Sequence, residues 1–182
     1  MLLTLTGGAG AGKTTLAAAL AVSAPAGPVA VLHGDDYYHV EPGPGRGVWA
    51  PDENGVPRLD VGHPDSVDAA RLDADLAAAL RRAELVIVEG LFARLAGAGR
   101  DRRLDVFVDL PADLRLVRKI DRKCVRGGFP LEVLLRNYLA HRRDAHERYV
   151  EPLRAGCALT VDGGRPPAEL AARVWAAVAA NA

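Results

Sequence analysis

Residues 1–15 read MLLTLTGGAGAGKTT. Met1–Thr6 is a short apolar strand, Gly7–Thr14 fits G-x-x-x-x-G-K-[ST] in full, and Thr14–Val22 continues as an Ala/Leu-rich helix ending before Pro25. Strand, glycine loop and helix are the context in which this pattern cradles phosphate. Glycines let consecutive N–H groups wrap an anion, and the helix N-terminus adds partial positive charge. Lys13 reaches toward the β- and γ-phosphates of a nucleotide, and Thr14 offers a hydroxyl to Mg²⁺. Gly7, Gly8, Ala9, Gly10, Ala11, Gly12, Lys13, Thr14 and Thr15 are therefore the expected nucleotide-binding residues. Only three of the 23 basic residues are lysines, Lys13, Lys119 and Lys123. A chain that uses Arg almost everywhere yet keeps Lys at position 13 has a site that wants a compact ammonium.

Working outward, the chain alternates strands and helices. Pro28–Leu32, Glu84–Glu89, Leu104–Leu110 and Cys157–Val161 read as further strands. Helices are expected from Asp65 or Ser66 as cap through residue 83, over Ala112–Val125, over Leu131–Leu153 after a GGFP break, and over Ala168–Ala180. Alternation of this kind predicts an α/β three-layer P-loop fold with a central parallel five-stranded sheet and helices on both faces. Residues 1–182 are expected to form one domain. Val40–Gly62 holds four Pro and five Gly in 23 residues and reads as a long irregular connection, the kind that is usually functional or disordered.

Bulk composition narrows the function classes. Lys+Arg and Asp+Glu are both 23, so no global field draws the chain to nucleic acid or anionic lipid. The two cysteines, Cys124 and Cys157, fit no zinc spacing, and a reducing, cytoplasmic setting is the simplest reading. The N-terminal apolar run lacks a basic flank and is interrupted by glycines and a lysine, which argues against a signal peptide. No run reaches the roughly 18 apolar residues of a membrane span.

The second strand runs into His33-Gly34-Asp35-Asp36-Tyr37-Tyr38-His39. Two carboxylates, two phenols and two imidazoles in seven residues exceed what a turn requires. A carboxylate at a strand's carboxyl end beside a phosphate loop is where a general base for an acceptor hydroxyl belongs. Asp35 is the preferred base and a contact for the Mg²⁺ shell, with Asp36 the neighbouring candidate. Two strands end in acid, at Glu89 and Asp109. Glu89, followed by Gly90, is the expected metal-side acid, and Asp109 is expected to cap or turn into the next helix. Arg115, Arg118 and Arg122 share roughly one helical face that could close over a transferring phosphoryl group. Tyr37, Tyr38 and Trp49 cluster beside the proposed base and could stack a planar acceptor, with His39 and His63 within reach.

In this order GGAGAGKTT, DDYY, LDVGHPDSVD, VIVEG, VDLPADLRLVRKIDR and YVEP resemble the uridine kinases and their relatives, which include phosphoribulokinase, pantothenate kinase and nicotinamide riboside kinase. The likeness runs from Leu2 to about Asp162. It implies an ATP- and Mg²⁺-dependent kinase acting on an alcohol, with Asp35 as catalytic base, Asp60 binding ribose hydroxyls, Glu89 as the metal-side acid, and Arg115, Arg118 and Arg122 as lid arginines over residues 115–130. An acceptor loop is expected over about residues 37–63. The chain departs from the uridine kinases in two places. The hairpin that encloses the pyrimidine is missing between LDADLAAALRRA and ELVIVEG, and the lid reads Arg126-Gly127-Gly128-Phe129 where the family has E-R-G-R. Asp52-Glu53-Asn54-Gly55 leading to Leu59-Asp60-Val61 looks somewhat like nicotinamide riboside kinase instead.

The expected reaction is therefore transfer of the γ-phosphate of ATP to a primary hydroxyl, first of a nucleoside or ribose-like compound. The alternatives are a non-nucleoside alcohol such as pantothenate, a sugar phosphate or a hydroxy acid, or a P-loop switch with no acceptor. The expected partners are ATP and a small acceptor, with neither nucleic acid nor membrane, and a homo-oligomer is left open.

Overall fold

The first strand, β1 (Leu2–Thr6), is wholly buried and alternates its loyalties. Leu3 and Leu5 point into one core layer, Leu2 into the other. Thr4 and Thr6 are fully buried but satisfied: Thr4 Oγ1 donates to Asp105 Oδ1 at 2.6 Å, and Thr6 Oγ1 accepts from the Arg94 amide at 2.8 Å. A strand apolar on both faces belongs in the middle of a parallel sheet covered on both sides.

The computed structural model describes residues 1–25, 27–51 and 55–180. The remaining elements are α1 (Lys13–Val22), β2 (Val29–His33), β3 (Trp49–Pro51), β4 (Pro57–Leu59), α2 (Ala69–Leu80), β5 (Leu85–Gly90), β6 (Arg103–Asp109), α3 (Ala112–Ile120), α4 (Leu131–Asn137), α5 (Arg143–Ala145), β7 (Leu159–Asp162) and α6 (Pro167–Ala180). Five strands form a parallel sheet in the order β2-β5-β1-β6-β7. Leu16, Ala17 and Leu20 of α1 and Leu170, Ala171 and Val174 of α6 cover one face. Leu72 and Leu76 of α2 cover part of the other, and Phe92, Phe107 and Val150 form a smaller cluster. The expected layered α/β architecture is what the chain adopts.

Three details differ from expectation. The helix after HPD begins at Ala69 with Asp68 as its cap, accepting from the Arg71 amide at 3.0 Å. Asp65 and Ser66 lie instead in a short 3₁₀ turn, Pro64–Ser66, capped by His63. Ser66 is buried and its hydroxyl donates to the Asp60 carbonyl at 2.7 Å, so it anchors the chain where it leaves the long connection. Second, the segment read as irregular contains an antiparallel hairpin that pairs Trp49 with Leu59 and Ala50 with Arg58. Its strands are three residues long, with Pro51 ending one and Pro57 starting the other, too short for periodicity to show. The stretch Asp52-Glu53-Asn54 lies outside the described residues. Third, Asp109 does not cap α3, whose N-cap is Pro111; its carboxylate pairs with Arg154 at 2.5 Å.

Two helical stretches carry π-type turns. α3 runs into one at Asp121–Val125, and the long helix over 131–150 contains two, Tyr138–Arg142 and His146–Val150. Such bulges mark places where a helix is re-aimed, frequently near functional sites.

Candidate active site

The P-loop needs backbone conformations that side chains disfavour. Gly12 caps α1 at φ +103°, and Gly10 sits at φ +88°. A Cβ on Gly10 would also lie 2.7 Å from the Arg115 carbonyl, so loop and lid helix touch there. The Ala11 amide donates to the Gly8 carbonyl at 3.1 Å, and Lys13 folds back so that its Nζ donates to the same oxygen at 3.0 Å. Lys13 is buried, and that burial pulls its pKa down to about 8 against the raising pull of Glu89 and Asp35, with Arg115 and Arg122 adding to the depression.

β1, β2 and β5 deliver their carboxyl ends side by side. The β2–β5 register sets His33 opposite Glu89, and His33 Nδ1 lies 2.9 Å from Glu89 Oε1. Thr14 Oγ1 donates to the same oxygen at 3.0 Å. Glu89 is only 6% exposed, held between a strand neighbour and the first turn of α1. Asp35 follows on a short 3₁₀ turn, Gly34–Tyr37, and is exposed into the same cleft.

The cleft has a volume of about 850 Å³. Ala9 through Thr15 form its floor, Asp35 and Glu89 one wall, and Arg118, Arg122 and Arg126 the lid side. Arg118 Nη1 donates to the Gly163 carbonyl at 3.0 Å, and Arg126 pairs with Asp121 at 2.5 Å. Gly7 and Gly8 sit behind this floor, Gly7 against the Val108 carbonyl and Gly8 beneath the Arg115 side chain. Arg115 is turned away from the cleft. Its Nε donates to the Leu110 carbonyl at 2.9 Å, and it lines a side cavity of about 100 Å³ reached past Ala9, Val61 and Lys119.

The aromatic cluster beside the base disperses. Tyr38 lines the cleft and donates its hydroxyl to the Val61 carbonyl at 3.1 Å. Tyr37 is 7% exposed, packs with Leu72 and Leu76, and donates to Asp75 Oδ2 at 3.0 Å, so it serves the core. Tyr37 closes the 3₁₀ turn and Tyr38 stands in extended backbone just after it, so the two side chains diverge and only one of the pair faces the cleft. Trp49 belongs to the hairpin and donates its Nε1 to the Arg46 carbonyl at 2.5 Å. His63 accepts from the Asp65 amide and packs edge-on against Tyr149 at 4.6 Å between ring centres. Asp36 is exposed outside the cleft lining, and its carbonyl accepts from Arg71. Tyr37, Trp49, His63 and Asp36 are thus not brought to the cavity walls.

Asp60 directly follows β4. Its Oδ1 accepts from the Gly62 amide at 2.9 Å and from Arg142 Nη1 at 2.5 Å. Motif reading passes over Arg142 and Lys119, which line the cleft, His146, which lines the side cavity, and His33, which contacts Glu89. Tyr138, Arg142 and His146 recur every four residues and face the side cavity. That spacing is legible, but in a run as charged as HRRDAHER it reads as a solvated helix face.

The donor set suits Mg²⁺. Among the described residues no cluster of three or more His, Cys, Asp or Glu could cage a metal. One hydroxyl and one or two carboxylates beside a phosphate loop match an ion that keeps its waters and takes phosphate oxygens. Thr14, Glu89 and Asp35 are the residues that would hold it. No helix of the described residues is long and apolar enough to cross a membrane.

Comparison with known proteins adds an independent line. Residues 67–165, just over half of the chain, match the model of the Phosphoribulokinase / Uridine kinase family. A uridine kinase of Chloroflexus aurantiacus is 28% identical, covering 100% of this chain and 97% of its own length. That alignment runs over 215 positions, so the relative carries segments that this chain omits. A uridine kinase of Deinococcus deserti is 30% identical over 80% of this chain and 79% of the relative. Among solved structures, a shikimate kinase from Acinetobacter baumannii superposes with a TM-score of 0.57 at 18% identity, covering 99% of this chain and 93% of that one. A gluconokinase from Sinorhizobium meliloti 1021 gives 0.53 at 19% identity, covering 97% and 90%. These two share the fold.

Proposed function

This chain belongs to the phosphoribulokinase and uridine kinase family, and from that premise we propose that it moves the γ-phosphate of ATP onto a primary hydroxyl with Asp35 as general base. It is a small-molecule kinase, a phosphotransferase with an alcohol acceptor. The observation that carries the proposed roles is the convergence of Asp35, Lys13, Thr14, Glu89, Arg118 and Arg122 on one cleft at the carboxyl ends of β1, β2 and β5. We read residues 1–182 as one kinase domain, with a lid over about 115–130 and an acceptor loop over about 37–63.

In this reading the P-loop amides and Lys13 hold the β- and γ-phosphates. Bound Mg²⁺, held by Thr14 and Glu89 with Asp35 in its shell, would neutralise charge between those phosphates. The acceptor oxygen forms a bond to the γ-phosphorus as the bond from that phosphorus to the bridging oxygen breaks. The hydroxyl proton passes to the Asp35 carboxylate, and ADP departs with the bonding electron pair. Arg118 and Arg122 face the transferring group from the lid and stabilise its equatorial oxygens.

The names of the relatives make a nucleoside or ribose-like compound the first acceptor class. The second class, a non-nucleoside alcohol, is favoured by a specific observation. The pyrimidine-enclosing hairpin is missing, and Tyr37 and Trp49, the aromatics offered in its place, are engaged elsewhere.

Asp35→Asn tests the assignment of the base. Transfer should fall by about 10²–10⁴-fold while MgATP binding stays within a factor of a few, because removing a positioned base costs that much. The measurement is ADP release with a panel of uridine, cytidine, ribose, pantothenate and glycerate, beside direct ATP titration. Loss of ATP binding would show Asp35 serving the metal or the fold instead.

A further inference from the structure

Beyond the cations that face the phosphate floor, two more stand where the cleft opens into the side cavity. Lys119 and Arg142 line both spaces. A guanidinium carries five N–H donors. Arg142 gives one to Asp60, and its others find no partner among the described residues. Lys119 has no acidic partner among the described residues. Burial lowers its pKa, and Arg142, Arg122 and Lys123 lower it further. A partly buried cation surrounded by cations is an arrangement that a bound anion relieves.

His146 supplies the third element. It is mostly buried, and its Nε2 lies 3.4 Å from Glu151 Oε2. Its Nδ1 is buried and has no hydrogen-bond partner. Burial, with help from Arg115, Lys13 and Arg154, drives the ring's pKa down to about 4, so it is neutral at ordinary pH. With the proton on Nε2 toward Glu151, Nδ1 is a bare buried acceptor on a residue that lines the side cavity. An orphaned buried acceptor carries a desolvation cost that a ligand hydroxyl would remove. Arene surface is sparse here by contrast: Tyr38 and Tyr138 are the phenol rings on the two cavities, and Tyr38 is tied to Val61.

We propose that the acceptor is a small anionic alcohol, a hydroxy acid or a phosphorylated polyol, whose carboxylate or phosphate is gripped by Arg142 and Lys119 while one of its hydroxyls donates to His146 Nδ1. This rests on the kinase reading above and specifies its substrate class. Asp60, rather than binding a ribose, aims Arg142 into the site. The anion end and the reacting hydroxyl then lie on either side of Val61, which lines both spaces, with Asp35 on the cleft side.

Calorimetric titration in the presence of Mg²⁺ and a non-hydrolysable ATP analogue tests this without chemistry. Glycerate supplies the carboxylate and glycerol 3-phosphate the phosphate; glycerol is the neutral match and uridine the nucleoside. Glycerate or glycerol 3-phosphate should bind at least about tenfold more tightly than glycerol and uridine, and which of them does so identifies the anion. Arg142→Met and Lys119→Met should each weaken that binding by about tenfold, with Arg142→Lys recovering part and the affinity for the ATP analogue falling by a smaller factor, since both residues also border the cleft. Lys119→Met guards against a loop disturbance, since Lys119 does not touch Asp60. The inference is overturned if uridine binds best, if neither anion is preferred over glycerol, or if anion binding ignores both substitutions. An anion that binds with the expected preference but releases no ADP from ATP would uphold the anion site and count against the transfer reading.

Discussion

Lys13 shows how a single residue carries a condition-dependent activity. Its ammonium is buried beside Glu89 and Asp35 and has a pKa near 8, with Arg115 and Arg122 also facing it. Since the shift is downward, the charged form is complete well below pH 8 and is lost as pH rises through it. The KM for MgATP should therefore rise above about pH 8, and initial-rate kinetics between pH 6.5 and 9.5 check this. Tyr37 and Tyr38 separate fold from function within two residues. Tyr37→Phe removes one hydrogen bond to Asp75 in the core and should cost about 1 kcal/mol in urea denaturation with the acceptor KM unchanged. Lys13, Thr14, Asp35 and Glu89 were legible as site candidates because a motif or a strand end marks each. His33, Lys119, Arg142 and His146 were not, because nothing local distinguishes them from surface charge.

Among the elements, the P-loop and the lid helix form one mechanical unit. Gly10 combines φ +88° with a Cβ position 2.7 Å from the Arg115 carbonyl, so Gly10→Ala must displace either loop or lid. Strain at such a position costs on the order of 1–3 kcal/mol. ATP affinity should drop about tenfold or more in direct titration, while far-ultraviolet circular dichroism stays close to that of the parent. The helices were readable from composition, and the buried strands from their apolar runs. The β3–β4 hairpin was hidden because three-residue strands show no alternation. The π turns were hidden as well, because nothing in local propensity separates them from ordinary helix. Two of them lie in the helix over 131–150, whose Tyr138, Arg142 and His146 line the side cavity.

At the scale of the whole molecule, ligand binding and folding are coupled, because the cleft draws its walls from the sheet ends, α1 and the lid together. A ligand at about 100 times its Kd adds about 2.7 kcal/mol to stability. For a chain of this size that shifts the thermal midpoint by about 5–10 °C. MgATP should produce this shift in a thermal melt, and Lys13→Ala should abolish most of it.

The sequence by itself determined the layered α/β architecture, the phosphate loop and the family. Each is written in contiguous residues: strand, glycines and lysine in one run, acids at strand ends, helices in Ala/Leu/Arg periodicity. Tertiary structure alone decided which members of a cluster face the cleft. Tyr37 went to the core and Tyr38 to the cavity because the 3₁₀ turn ends between them and the backbone changes direction there. Glu89 met His33 through the β2–β5 register, and Asp60 met Arg142 across 82 positions of chain. Charge partners so far apart are set by how strands register and helices pack, and no local pattern encodes that pairing.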